Sequence, residues 1–256
     1  MPFHLDATVD EIAAAVGAFK ANYHNDFQTM QPLKRLYLSD GMMGSGHQDE
    51  MAKTLSRILT TWGAGRRKAP DLREHKDIVA ALREPRLRAL LRTLARFSIE
   101  TLRAEKGERR STSPTLKPDQ FDAALFRALH GVAQKFFKDC TNVTYPMKVL
   151  LLLTGQMPAF DSQVRQGLAR AGLRGFRKTR YLLPATPRSR ASVKIFGLPF
   201  ELGNVWAARA QDIDAALRSA GRSELIKEPG RVFDVLLFCQ GRPDAPILLK
   251  WTSERV

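Results

Sequence analysis

Apolar residues in this chain recur at three- and four-residue spacing far more often than they alternate, and that period belongs to α-helices. The first such stretch predicts a helix over Val9–Ala21, with Ile12, Val16 and Phe19 on its apolar face. Thr8 and Glu11 stand where a capping box needs them. A turn-rich stretch, Gly41–His47, leads into a predicted helix over Gln48–Trp62. It lacks the Gly-Lys-Ser/Thr ending of a phosphate loop and reads as a connector. Helices over Arg73–Arg83 and Pro85–Ala104 follow, the second opened by a proline suited to a first turn. That second helix carries an apolar stripe, Leu87, Leu90, Leu91, Leu94 and Phe97, and a solvated basic one, Arg88, Arg92 and Arg96. Ala104–Pro118 is rich in charge, serine, threonine and proline, the composition of a linker.

Beyond it the pattern predicts a strong helix over Asp119–Asp139, the connector Cys140-Thr-Asn-Val-Thr144, and an apolar helix opened by Pro146 and ended by Gly155. The loop Gln156–Phe160 then brings Asp161 to the N-cap of a helix over Ser162–Ala171, which stops at Gly172. Tyr181–Ser192 reads as a basic loop and Ala208–Ala220 as a helix. Glu228–Gln240 reads as a helix because Val232, Phe233, Leu236 and Leu237 share one helical face, although the crowding of Val, Phe and Leu would also suit a strand. Pro246–Trp251 is the best strand in the chain and has no obvious partner. The expected class is mainly α, with a short C-terminal strand. The expected organisation is a helical lobe over 1–103, a linker over 104–118 and a second helical lobe over 119–256, or one integrated domain.

With 256 residues, 44% hydrophobic and 26% charged, the chain is long and apolar enough for a core, which excludes wholesale disorder. The longest apolar run, Met147–Leu153, is interrupted by Lys148 and is too short to cross a bilayer. Acidic residues near the N-terminus do not suit a signal peptide, and two cysteines make no disulfide framework, so a cytoplasmic location is expected. The net charge of +15 points to a polyanionic partner, DNA or RNA before a membrane. Between Ser162 and Phe200 there is no acidic residue, while Arg165, Arg170, Arg174, Arg177, Lys178, Arg180, Arg188, Arg190 and Lys194 supply +9. This stretch is the expected phosphate-binding face.

The order from Asp119 to Ala171 is a helix, a five-residue connector, an apolar helix, a loop with a proline, and an aspartate capping a basic helix. It resembles the helix-hairpin-helix DNA glycosylase superfamily, with Cys140–Thr144 as the hairpin and Pro158-Ala-Phe-Asp-Ser-Gln-Val164 as the stretch that carries the catalytic aspartate. The resemblance covers about a fifth of the chain and implies a two-lobed helical fold acting on DNA. It implies that amides at Asn142 and Thr144, with Lys148 nearby, hold a backbone phosphate. It further implies that a base is flipped out and that Asp161 supports its departure, with Lys135 as the amine for any lyase step. The family's two hairpin glycines are Asn142 and Thr144 here, and Gln163 stands two positions after Asp161. Asp161 has an alternative reading as an ordinary helix cap, and Lys135 as a solvated lysine. Phe176 and Tyr181, inside the basic run, suit either packing or stacking on a base.

Other chemistries find no support. The histidines are not paired at helical spacing and there is no Cys-x-x-Cys, so neither a metal nor another cofactor is expected. Glu224, Glu228 and Asp234 are too loosely spaced for a metal-dependent nuclease. The sequence therefore leaves three readings: a metal-independent DNA glycosylase, a non-catalytic nucleic-acid-binding descendant of that fold, and a helical protein-interaction module.

Overall fold

Thr8 caps the first helix as its spacing requires. Its hydroxyl accepts the Glu11 N–H at 3.2 Å, and the Glu11 carboxylate accepts the Thr8 N–H at 2.8 Å. This helix, α1 (Val9–Gly17), follows a short strand, β1 (Phe3–Leu5), and ends earlier than its apolar pattern suggests. The computed structural model describes residues 3–39, 44–105, 107–173, 175 and 181–252. Within them the remaining helices are α2 (Ala21–Leu38), α3 (Ser45–Thr61), α4 (His75–Arg83), α5 (Pro85–Ala95), α6 (Pro118–Phe136), α7 (Thr144–Thr154), α8 (Ser162–Arg170), α9 (Arg190–Ser219) and α10 (Pro229–Gln240). The fold is mainly α, and none of these helices is long and apolar enough to cross a membrane. Most of the expected connector Gly41–His47 enters α3 or lies outside the described residues.

Several elements depart from the sequence reading, beginning with β1 and α2, which occupy stretches where no element was expected. The helix expected to run to Ala104 stops at Ala95, and β2 (Leu102–Glu105) and β3 (Glu108–Ser111) form an antiparallel hairpin where a linker was expected. The turn uses Gly107 at φ 83°, a left-handed position that glycine takes without cost. Asn204 of α9 mimics a further strand, accepting the Ala104 N–H and donating to the Ala104 carbonyl at 3.1 and 2.6 Å. The C-terminal strand, β4 (Leu249–Trp251), pairs antiparallel with β1, its partner lying at the other end of the chain. Finally, α9 takes in the last three residues of the expected basic loop and all of the chain between it and Ala208, running through Pro199 and breaking at Arg209. The Arg209 guanidinium ties this break to the N-terminal segment, donating to Leu5 O and Ala7 O at 2.7 Å each.

At the centre lies α7, whose residues from Tyr145 to Thr154 are all buried. A helix apolar on every side needs neighbours on every side, and α2, α3, α5 and α6 supply them. Gly155 ends it in the left-handed conformation. The buried apolar residues form one continuous cluster that draws on all ten of the described helices.

One buried group gives the fold a pH dependence. The His24 ring is inaccessible, packed edge-on against Phe19 at 5.0 Å, and burial followed by the charges of Arg231 and Arg222 lowers its pKa to about 4. An unfolded chain binds this proton near pH 6.5, so between about 6.5 and 4 the unfolded state holds more protons and stability falls as pH falls. The expected loss is about 3 kcal/mol across that window. Urea unfolding of the wild type against His24→Phe checks it, because the variant should lose this part of the dependence.

Candidate active site

The site is built around the turn that delivers Asp161. Asp161 caps α8 with one oxygen, Oδ1, which accepts the N–H groups of Gln163 and Val164 at 2.9 Å each. Its other oxygen, Oδ2, makes no hydrogen bond among the described residues. The residue before it, Phe160, is buried at φ 51°, a left-handed conformation that costs a bulky residue of order 1–3 kcal/mol. Neighbours on both sides hold this turn in place: Thr144 Oγ1 donates to Phe160 O at 3.1 Å, and Asp234 Oδ1 accepts the Ala159 N–H at 2.7 Å.

Asp161 stands at the wall of a cavity of about 40 Å³. Its opposite walls are aromatic: Phe19 and Tyr23 from the α1–α2 region, Trp62 from the end of α3, and Phe238 from α10. Tyr23 meets Trp62 edge-on at 5.8 Å and Phe19 meets Phe238 at 5.2 Å. The Trp62 indole N–H donates to Asp26 Oδ2 at 3.1 Å, and Arg57 holds the other oxygen of that carboxylate at 2.9 Å. The ring plane is thereby fixed.

Two cations complete the cavity. Lys148, projecting from the otherwise apolar α7, donates its ammonium to Trp62 O at 2.7 Å and lies 4.7 Å from the Tyr145 ring centre. Burial lowers its pKa, and the charges of Asp161 and Asp234 oppose that shift. Arg231 is 2% exposed and bridges Asp234 Oδ2 at 2.5 Å and Tyr23 O at 3.0 Å, with the rings of Phe19, Phe27 and Trp62 within 5.5 Å of its guanidinium carbon. For this pair desolvation outweighs attraction: it pushes the Asp234 carboxyl up and the Arg231 guanidinium down.

The expected site residues divide sharply. Asp161 is at the cavity, but Lys135 is not: at the end of α6 its ammonium pairs with Glu84 at 2.7 Å, and the lysine beside Asp161 is Lys148. Lys148, expected at a surface phosphate, is 7% exposed with its ammonium turned inward. The connector amides are also engaged. The Thr144 N–H donates to Asn142 Oδ1 at 3.2 Å and the Val143 N–H to Tyr181 O at 2.9 Å, because the connector pairs with residues 181–183.

The expected basic face is thinner than its composition. Arg165 is 6% exposed with its Nε donating to Asp161 O at 3.3 Å, and Arg170 binds the carbonyls of Gln240, Arg242 and Ala245. Arg188 and Arg190 are exposed at the start of α9. Arg174, Arg177, Lys178 and Arg180, with Phe176, lie outside the described residues. Tyr181 is buried and packs towards Phe160, ring centres 6.5 Å apart.

The residues the sequence did not assign to this site are Phe19, Tyr23, Trp62, Phe238, Arg231 and Asp234. For the last two a signal was present: an arginine and an aspartate three apart in the apolar run Arg231–Phe238 have to meet each other inside the protein. Among the described residues no three His, Cys, Asp or Glu side chains converge as a metal-binding set. Comparison with protein-family models, with curated proteins and with solved structures finds no match to this chain.

Proposed function

We propose that this chain is a nucleic-acid-binding protein of helix-hairpin-helix glycosylase-like fold that cleaves the N-glycosidic bond of a damaged or modified base without a metal. The observation that carries this reading is the division of labour at Asp161: Oδ1 is fixed by the helix cap, and Oδ2 is uncommitted at an aromatic-walled cavity. In the proposed reaction the C1′–N bond breaks, its electron pair leaves with the base, and Oδ2 faces the positive charge that develops on the sugar. Water then adds at C1′ and gives up a proton to Asp161. Tyr23 and Trp62 supply stacking surfaces for the base, and the Tyr23 ring has to swing away from the fixed Trp62 ring to admit it.

A second reading is the non-catalytic nucleic-acid-binding descendant, and two observations favour it. The cavity, at about 40 Å³, has room for water and is small for a base, which enters only if the walls part. The connector amides that would take a phosphate are partly bonded within the protein.

Release of bases from a panel of lesion-bearing duplexes, revealed by alkaline strand cleavage, separates the two. Asp161→Asn keeps an acceptor for the cap and removes the charge, so base release is expected to fall at least about 100-fold while binding persists. No release by wild type or variant, with salt-sensitive binding intact, would favour the non-catalytic reading. No binding even at low salt would leave the protein-interaction module.

A further inference from the structure

We propose that the turn Gly63–Lys68 is a docking loop for the phosphate backbone of nucleic acid, set at the edge of the Asp161 cavity. This inference rests on the reading that the chain binds nucleic acid, and moves the contact away from the connector and the 162–200 stretch. The turn is tied to the cavity at its first residue. Trp62 forms part of the cavity wall, its carbonyl holds Lys148, and a Cβ built on Gly63 would lie 3.1 Å from the Tyr145 hydroxyl.

Three of the next five residues are left-handed: Gly63 at φ 99°, Gly65 at 73° and Arg67 at 55°. Two of these are glycines, but Arg67 holds a conformation unfavourable to its type. Internal bonds fix the loop in this shape: Ala64 N–H to Leu59 O at 2.9 Å, Gly65 N–H to Pro70 O at 3.0 Å and Ala69 N–H to Arg66 O at 3.0 Å. The N–H groups of Arg67 and Lys68 have no acceptor among the described residues, and the side chains of Arg66, Arg67 and Lys68 are exposed and make no ion pair there. Two free amides and three cations on one rigid turn suit phosphate oxygens, the amides fixing position and the cations displacing counterions.

The surroundings extend the positive surface. The segment after the turn pairs with the end of α6, Arg73 N–H to Phe136 O at 2.9 Å and Lys138 N–H to Asp71 O at 2.8 Å, which brings exposed Lys138 alongside. Asp71 lies against the turn, its Oδ1 3.2 Å from a Cβ built on Gly65, and Asp139 follows Lys138, so Arg66, Arg67, Lys68 and Lys138 outnumber the two acids and the patch stays cationic. None of the exposed large apolar residues, Leu36, Leu182, Val193 and Ile247, belongs to the turn, so it has nothing to insert into a bilayer.

The test is fluorescence anisotropy with a labelled, undamaged DNA duplex and the matching single strand, titrated between about 50 and 200 mM salt. Wild type is compared with Arg66→Gln/Arg67→Asn/Lys68→Gln, asparagine being chosen for its tolerance of positive φ, and with Arg188→Gln/Arg190→Gln. Thermal melting checks that each variant is folded. The triple variant is expected to lower the slope of log affinity against log salt by about 0.9 per contact, roughly 2.7 in all on duplex. An unchanged slope in that variant, or a loss confined to the Arg188/Arg190 pair, would overturn the docking proposal while the nucleic-acid reading stands. Failure of the wild type to bind either DNA at low salt, or its preference for anionic phospholipid vesicles, would overturn both.

Discussion

Arg231→Met is expected to destabilise the fold by about 3–5 kcal/mol, the range for removing one partner from a buried ion pair. The methionine fills most of the volume among Phe19, Phe27 and Trp62, so the loss is electrostatic more than steric. What remains is an Asp234 carboxylate, 3% exposed, that has lost its bond at Oδ2 and keeps only the Ala159 N–H at Oδ1. Tyr23 O loses its donor as well. Urea denaturation gives the free energy, and Tm should drop by roughly 10 °C for a chain of this length. The double variant Arg231→Met/Asp234→Asn should recover at least about 1 kcal/mol of the loss, since it removes the stranded charge while the amide oxygen still accepts from Ala159. A single variant within about 0.5 kcal/mol of wild type would show that the pair contributes nothing that methionine cannot.

That pair also marks how far a linear sequence reveals this site. Signals confined to a few neighbouring residues were legible. Thr8 with Glu11 gave the start of α1, Pro85 that of α5, Gly155 the end of α7, and Asp161 the cap of α8. Each works through a bond or a backbone geometry confined to about four residues, so spacing alone reports it. The cavity around Asp161 works differently. Phe19 and Tyr23, Trp62, Lys148 and Arg231 come from four separate stretches, and only the packing of α7 against its neighbours brings them together. Their aromatic and aliphatic patterns announce burial, which is correct, but say nothing about which buried residues share a wall.

The lysines illustrate the same limit. Lys135 and Lys148 stand at comparable distances from the connector, and spacing does not decide between them. The run Met147–Leu153 contains the deciding fact: a helix apolar on all sides is central, so its single lysine is buried and has to find a partner inside. Lys135 sits on an amphipathic helix and reaches Glu84 at the surface. The strand at Leu249–Trp251 was visible but its partner was not, because β1 lies over 240 residues away and three residues carry no signature of their own. The hairpin at Leu102–Ser111 was hidden by its charge. Its exposed edges carry the arginines and glutamates that composition assigns to a linker, and Asn204 of α9 bonds both backbone groups of Ala104. Likewise, composition alone makes the arginines of 162–200 surface charge, although Arg170 is committed to three backbone carbonyls.

Gly167→Ala is expected to cost at least about 3 kcal/mol, the upper end of the overpacking range, and to disable the site at the same time. The α8 and α10 helices meet backbone to backbone at this point. A Cβ on Gly167 would lie 2.0 Å from Leu237 O and 2.8 Å from Leu237 C, and neither can swing aside as a flexible side chain would. The contact is secured on one side by Gln240 Nε2, which donates to Gly167 O at 2.9 Å. The helices can accommodate the methyl only by separating. That moves Asp161, at the start of α8, away from Arg231 and Asp234 on α10, and loosens the Asp234 bond that holds Ala159. The informative control is Gly197→Ala in α9, where nothing lies within 4 Å of the added methyl and the helical backbone favours alanine by up to about 1 kcal/mol. The same chemical change should therefore stabilise at 197 and destabilise at 167, measured by urea unfolding of both variants. Equal and small effects at the two positions would mean that α8 can shift on α10 without cost, and that the placement of Asp161 is not set by this contact.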